Sequence, residues 1–558
     1  MLSTGFFAAF LCLLNPCVLR AQSTPPASQA LTPLRVATHF VQVHVIVQDK
    51  KGAPVTGLAK EDFTLLDQGQ PEKIAFFSEE SGNLAEAQAS AQPLPPGIFS
   101  NRYEQTGQAP GNVTVILLDA LNTPFTVQSY MRSSAVKVLR QLNPQDHVAI
   151  YVLGPGRLRI IQDFTQNSTA LLHAINTEKG QYSLEVDTSA GDNALTGGDP
   201  FTDEWDAAGG ANGWNAKWAH SLIPARAQFT SQAIAAIANH LASIPGRKSL
   251  VWLSSNFPVS MGLTRVLNQS DIAVYPMDPG GMRNAPAFAA TAGETSQLGG
   301  HSTGGENGLP VDTSTLSPSL DPSTMNELAD RTGGRASYNN NDIAGSVRSA
   351  MDDGRVSYVL GYYPNHGKWD GRFHEITVKV DRSDVGVRSR KGYFALAEAP
   401  SGQKEMHAVI EDALKSPLDS TGLGLTVGVQ PGSQLGQASF TLNLDAQGVR
   451  LDEDAGQWKG GLEIVFCQYD AKGDSIGAVE SHLTLNLQKE MYDHVMQQGI
   501  KMTKQLAIAS GAEILKVVVF DTASGAMGTV TVPVKNYHQP VPEGTAAPPG
   551  APLATKHL

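Results

Sequence analysis

The sequence predicts a multidomain α/β plus all-β protein: an α/β domain on a mostly parallel sheet with helices on both faces, flanked by β-sandwich domains. Three observations carry this. Val113 to Leu118 is an unbroken apolar or β-branched run that leads straight into Asp119, the pattern of a strand buried on both faces that delivers a carboxylate to its C-terminal end. Helical stripes and short apolar strands then alternate as far as residue 354, the order of an α/β unit. On either side the hydrophobic period falls to two, as in Val41, Val43, Val45 and Val47, which reads as half-buried strands. A chain of 558 residues is too long for one core and implies roughly two to four domains.

Residues 1–21 hold an apolar run from Phe6 to Leu14 and end at Ala21, which reads as a secretory signal peptide. No Lys or Arg precedes that run, and Leu19 is large for its place before the cleavage point. A lipid on Cys17 is the other reading, but Leu14-Asn15-Pro16-Cys17 lacks the usual small residues. Removal of the signal takes Cys12 and Cys17 and leaves Cys467, so cores and not disulfides must hold the domains. Cys467 lies in the strand pattern Leu462 to Tyr469 and reads as a small packed residue. No later stretch is long and apolar enough to span a bilayer. The expectation is an exported protein, periplasmic or secreted, without an integral membrane segment once the signal is gone.

Residues 22–35, rich in Ser, Pro, Ala and Gln, read as a flexible leader. Residues 36–82 read as an N-terminal β-sandwich segment: the Val41 to Val47 strand, the turn Asp49-Lys50-Lys51-Gly52, then Glu61 to Asp67 and Lys73 to Phe77. Residues 83–110, rich in Pro, Ala and Gln, read as a linker.

The α/β domain spans 111–354. After Asn122, Thr123 and Pro124, a helix carries Met131, Ala135, Val138, Leu139 and Leu142 on one stripe and stops at Asn143-Pro144. His147 to Leu153 is the second strand, with a helix at about Thr169 to Asn176. Residues 178–224 then place Asp187, Asp192, Asp199, Asp203, Glu204 and Asp206 among Gly, Asn and three Trp residues. A loop of that length is functional or unstructured. It lacks the spacing of a calcium loop, and ion binding and a solvated insertion both stay open. Ile234, Ile237, Leu241 and Ile244 mark the next helix, and strand Leu250 to Leu253 opens onto Ser254-Ser255-Asn256. Strand Ile272 to Met277 leads into a second irregular loop, 279–320. Pro322 sits at the favoured first helical position and Gly333-Gly334 end that helix. Asp342 caps the last one, whose inner face holds Ile343, Val347, Ala350 and Met351.

Strand patterns at Ser357 to Tyr362, Ile376 to Val380, Val385 to Arg390 and Gly392 to Phe394 are expected to complete the N-terminal sandwich over residues 355–397. The α/β domain is then an insertion into that sandwich. Residues 398–536 read as a C-terminal β-sandwich, and 537–558, rich in Pro and Ala, as a disordered tail.

The arrangement strand, Asp-x-Leu-x-Thr (Asp119 to Thr123), helix, strand resembles the von Willebrand factor A (VWA) domain, and more narrowly the bacterial secreted VWFA-related domain proteins. Gly246 to Ser254, Ala273 to Asp278, Leu328 to Gly334 and Tyr358 to Pro364 carry the same resemblance in the same order. It implies a Rossmann-like VWA fold and a metal-ion-dependent adhesion site. Such a site uses Asp-x-Ser-x-Ser, a later Thr and an Asp after the fourth strand, and a partner's carboxylate completes the shell. Mg²⁺ takes this form because it demands six oxygens in near-octahedral array. Asp119 matches the first position and Thr123 the fifth, but Leu121 stands where a Ser is expected. Ser254, Ser255 and Asn256 replace the later Asp, and Thr230 is the candidate for the middle Thr. The resemblance therefore implies a degenerate site of Asp119, Thr123, Ser254 and Ser255 for Mg²⁺ or another divalent cation, with Asn122 and Asn256 facing a partner. The competing reading is that Asp119 caps the turn that follows it and the sheet edge is an apo scaffold.

A net charge of −12 without a basic run argues against nucleic acid or an anionic membrane as partner. Gly300 to Gly304 fits G-x-S-x-G, but a nucleophile elbow needs a strand before it and a helix after it, and this one lies in a Gly-rich loop. Gly361 to Lys368 is too long for a P-loop and lacks the Ser or Thr after Lys. His44 and His374, each alone on a strand, read as surface or packing residues and not as ligands. The expectation is an exported, non-catalytic protein that binds another protein or a cell-surface ligand through the degenerate site. A metal-independent structural component of an envelope assembly is the alternative, and an enzyme comes third. The oligomeric state stays open.

Overall fold

The computed structural model describes residues 40–81, 94–102, 113–181, 223–281, 322–395 and 402–538, apart from short gaps at 144, 245, 259–260, 366–368, 370, 433 and 435. The signal and leader, most of the two irregular loops with Gly300 to Gly304, and the tail beyond residue 538 lie outside the described residues.

The N-terminal segment supplies β1 (Val41–Asp49), β2 (Phe63–Asp67), β3 (Gln70–Glu72) and β4 (Ile74–Ser81). β5 (Ile98–Ser100) follows. The α/β region runs β6 (Val113–Asp119), α1 (Phe125–Leu139), β7 (His147–Gly154), β8 (Arg157–Thr165), α2 (Ser168–Thr177), α3 (Ile223–Leu241), β9 (Lys248–Leu253), α4 (Met261–Gln269), β10 (Ile272–Met277), α5 (Pro322–Thr332) and α6 (Ile343–Asp352). Then come β11 (Val356–Tyr362), β12 (Phe373–Val380), β13 (Val385–Ser389) and β14 (Gly392–Phe394).

β1 lies between β11 and β13, all antiparallel, and β4 flanks β11. β14, β12, β2 and β3 form a second sheet. Val43, Val45, Phe63, Leu65, Tyr358, Leu360 and Ile376 meet between the two. Val356 pairs with Ser81, so the chain leaves and re-enters this sandwich at neighbouring positions. That adjacency is what lets a domain be inserted without disturbing its host.

The α/β sheet has the order β10-β9-β6-β7-β8. β10, β9, β6 and β7 run parallel, and β8 turns back antiparallel on β7, so the sheet is mixed. The sequence reading lacked β8. Its pairing slips register twice along β7, and such bulges erase the period of two that marks a strand. Every residue of β6 is buried. One face packs Met131 and Val138 of α1, Leu171 of α2 and Ile343 and Val347 of α6. The other packs Ile234 and Ile237 of α3, Leu263 and Leu267 of α4 and Leu328 of α5. Asp342 caps α6 by accepting the Gly345 N–H at 2.8 Å.

The C-terminal region holds α7 (Gln403–Lys415), β15 (Leu425–Pro431), β16 (Gln437–Leu444), β17 (Asp452–Asp454), β18 (Gln457–Tyr469), β19 (Ser475–Leu487), α8 (Lys489–Gln498), β20 (Ile500–Ala507), β21 (Ile514–Asp521) and β22 (Met527–Pro533). One sheet is β20-β16-β15-β5; the other joins β17, β18, β21 and β22, with β19 along the second side of β18. Three expectations are corrected here. β5 lies inside the expected linker yet pairs with β15, Phe99 opposite Val427, because a three-residue strand is too short to outweigh the prolines around it. The expected all-β unit carries two helices, and α7 covers an outer sheet face by setting Ile410 and Ala413 on Val465, Val518 and Phe520. Tyr537, expected in the disordered tail, packs against the sandwich core. Among the described residues no helix is long and apolar enough to cross a membrane.

Candidate functional site

β6 ends at Asp119 and β9 at Leu253, side by side and parallel, so their following loops converge at the C-terminal edge of the sheet. This is the side where open α/β sheets place ligands. Asp119 is fully buried. Its Oδ1 accepts the Asn122 N–H at 2.9 Å. Its Oδ2 accepts three more donors: Asn122 Nδ2 at 2.8 Å, Trp252 Nε1 at 2.8 Å and Ser254 Oγ at 3.0 Å. Burial pushes the carboxyl up to about 6, against the pull of these hydrogen bonds.

Asn122 Nδ2 also donates to Thr230 Oγ1 at 2.9 Å, which brings the candidate middle Thr to the cluster from α3. Thr123 Oγ1 accepts the Ser255 N–H at 3.1 Å, tying the first loop to the fourth-strand loop. Gln128 Nε2 donates to the Thr123 carbonyl at 2.9 Å and to that of Gln181 at 2.7 Å, clamping the turn from below. The structure thus gathers Asp119, Asn122, Thr123, Thr230, Ser254 and Ser255, all buried.

The residues present do not fit an adhesion-type cation in this arrangement. An ionised carboxylate offers about four lone-pair sites, and four donors already point at Asp119. A Mg²⁺ ion at the usual ~2.1 Å from its ligands would have to evict the indole or the Ser254 hydroxyl. Asn122 Oδ1 and Ser255 Oγ are buried without a hydrogen-bond partner among the described residues, but these are neutral oxygens. Leu121 is buried as well and lies in the apolar core with Trp252 and Phe257. Of the residues expected to hold a metal, Asp119 and Ser254 meet in a hydrogen-bonded hub, and Thr123 and Ser255 are joined beside it. Asn122, expected to face a partner, points inward instead, because the carboxylate needs its amide. Asn256 is half-buried, and its backbone carbonyl lies 2.6 Å from Ser254 Oγ, so it shares that hydroxyl's single proton with Asp119.

Trp252 is the residue that sequence reading left without a role. The usable signal was spacing, since residues two apart on a strand share a face and Trp252 therefore points the same way as Ser254. Phe257 holds the indole in an edge-on contact, ring centres 5.0 Å apart.

No protein-family model matches this sequence, and no curated protein does. Among solved structures the chain is similar to the SpRpn10 VWA domain, at 10% identity and a TM-score of 0.18 over 32% of this chain and 77% of that one. It is also similar to the pilus adhesin SpaC from Lactobacillus rhamnosus GG, at 9% identity and a TM-score of 0.22 over 74% of this chain and 54% of that one. The chain thus spans about half the length of the adhesin. At such scores neither likeness bears on function.

Proposed function

We propose that this protein is an exported, non-catalytic interaction protein that binds another protein or a cell-surface polymer. In this reading a VWA-like α/β domain is displayed between two β-sandwiches, and a closed carboxylate hub replaces the metal site. The observation that carries the reading is the fourfold hydrogen bonding of Asp119 by neutral donors. It ties the loop after β6 to the loop after β9 and so gives the ligand-facing edge a fixed shape without a cation. The Asp-x-Leu-x-Thr stretch and the strand order of the sheet support the VWA likeness. Around Asp119 the donors among the described residues are amide, indole and hydroxyl groups. Phe125, two residues beyond Thr123, is half exposed and offers an apolar contact at this edge.

The test is thermal unfolding with EDTA, Mg²⁺, Mn²⁺ or Ca²⁺, for the protein and for Asp119→Ala. A ligand that binds the native state raises its melting temperature by mass action. Unchanged melting with every ion, together with a large loss in Asp119→Ala, is the expected result. A rise with one ion that Asp119→Ala abolishes would restore a cation-dependent adhesion site. For the contact itself, Phe125→Asp should weaken binding to envelope fractions without lowering the melting temperature; undiminished binding would move the contact to the sandwiches.

A further inference from the structure

A pocket of about 180 Å³ opens where α3 and α4 of the α/β domain meet α7 and the C-terminal sandwich. Small-molecule sites concentrate at such junctions between domains. The space exists because α3 turns Ala235 and Ala236 towards it, side chains of one carbon each. Val266 of α4, Val409 of α7 and Phe520 and Met527 of the sandwich supply an apolar wall. A cavity of ~150 Å³ holds a benzene ring, so this one admits a molecule a few atoms larger.

Two side chains of opposite charge line the same pocket. Arg265 on α4 makes no ion pair among the described residues, and its Nε is buried there without an acceptor. Asp412 on α7 stands at the exposed rim, and its Oδ1 accepts Gln232 Nε2 at 3.1 Å. It too makes no ion pair among the described residues, so the two charges do not reach each other across the pocket. Partial burial holds the Asp412 carboxyl above its ordinary value, against the pull of Lys415. Glu405, the other carboxylate on the pocket, already has a partner.

We propose that this pocket binds a free α-amino acid with an apolar side chain, its carboxylate on Arg265 and its ammonium on Asp412. The forked guanidinium is the group that grips a carboxylate through two parallel hydrogen bonds. The ligand's side chain lies against Val266, Val409, Phe520 and Met527. A molecule of the same size with one charge or none leaves Arg265 or Asp412 unmatched and binds more weakly. Because α4 belongs to the α/β domain and α7 to the C-terminal region, the bound amino acid ties the two together. No residue of the pocket belongs to the Asp119 hub, so the proposal does not depend on the partner-binding role of that edge.

Isothermal titration of the dialysed full chain with L-leucine, L-methionine and L-phenylalanine should give saturable binding of at least one. For leucine, 4-methylpentanoate lacks only the amino group and 3-methylbutylamine only the carboxylate, and the corresponding pair serves whichever amino acid binds. Each analogue should bind about tenfold or more weakly, the effect of losing one charge-assisted contact. Arg265→Gln and Asp412→Asn should weaken the amino acid by a similar factor. Ala235→Leu, which fills the space and leaves both charges in place, should abolish binding while the variant still unfolds cooperatively. Absence of binding by all three amino acids would overturn the proposal. So would binding that all three substitutions leave unchanged, or equal affinity for the amino acid and its analogue without the amino group.

Discussion

The two ends of the α/β sheet bury polar groups in opposite ways. At the C-terminal end a single carboxylate, Asp119, is closed by four neutral donors. At the N-terminal end, where β9 and β10 begin, the N-terminal sandwich brings charges of both signs. His44 lies 3.8 Å from Glu80 and 3.9 Å from Asp271, with Arg247 and Lys248 buried nearby. Among the described residues Arg247 Nε, Asn268 Nδ2 and Arg390 Nε there meet no hydrogen-bond partner and belong to residues lining one cavity of about 20 Å³. Directional hydrogen bonds fix a local shape whatever the ionic strength. Charged groups at such distances act on one another through the field as well, and at both ends burial makes the titrating group respond to pH, in opposite senses.

The largest break in that comparison is Asp119→Ala, which strands the Trp252 indole and the Asn122 N–H and takes one acceptor from the Asn122 amide and the Ser254 hydroxyl. Denaturant unfolding should show a loss of about 3–5 kcal/mol, in the range for disrupting a buried hydrogen-bond network. A loss below about 1 kcal/mol, the size of an ordinary substitution, would mean that the hub does not hold the edge.

Next in size are two pH effects of opposite sign. Asp119 is raised from 3.8 to about 6 in the fold. Its stabilising contribution is therefore complete below about pH 4 and is lost as pH rises through 6. His44 is lowered from 6.5 to about 4 by burial. Its contribution is present above 6.5 and is lost as pH falls towards 4. Each shift corresponds to roughly 3 kcal/mol at about 1.4 kcal/mol per pKa unit. Between pH 4 and 6.5, Asp119→Asn should steepen the loss of stability on acidification and His44→Gln should flatten it. Stability curves that both substitutions move in the same direction would overturn the contrast.

Trp252→Phe should cost less, about 1–3 kcal/mol, because three donors still reach Asp119, and the carboxyl should titrate higher than in the parent. An unchanged carboxyl titration would mean that the indole contributes packing alone. The smallest expected effect is that of added divalent ions on the melting temperature, which should be none.

Much of this fold was legible because it is written in local periodicity. The run Val113 to Asp119, the stripe through Met131 and Val138, the cap at Asp342 and the strand patterns that became β1 and β11 all follow from spacing on a helix or strand. β8 was hidden by its bulges, β5 by its prolines, and α7 by an apolar face whose partners Val518 and Phe520 lie about a hundred positions away. At the site, Asp119 and Thr123 were legible as the end of a strand and the start of a turn. Thr230 was legible only as a candidate, and that it meets Asn122 while the Trp252 indole meets Asp119 was not legible, because spacing along the chain does not say which buried groups come together. The sequence by itself determined where a carboxylate is delivered and which residues surround it in the chain. Only the tertiary structure decided what that carboxylate meets, since burying a charge requires its hydrogen bonds to be satisfied by whichever donors packing brings within reach.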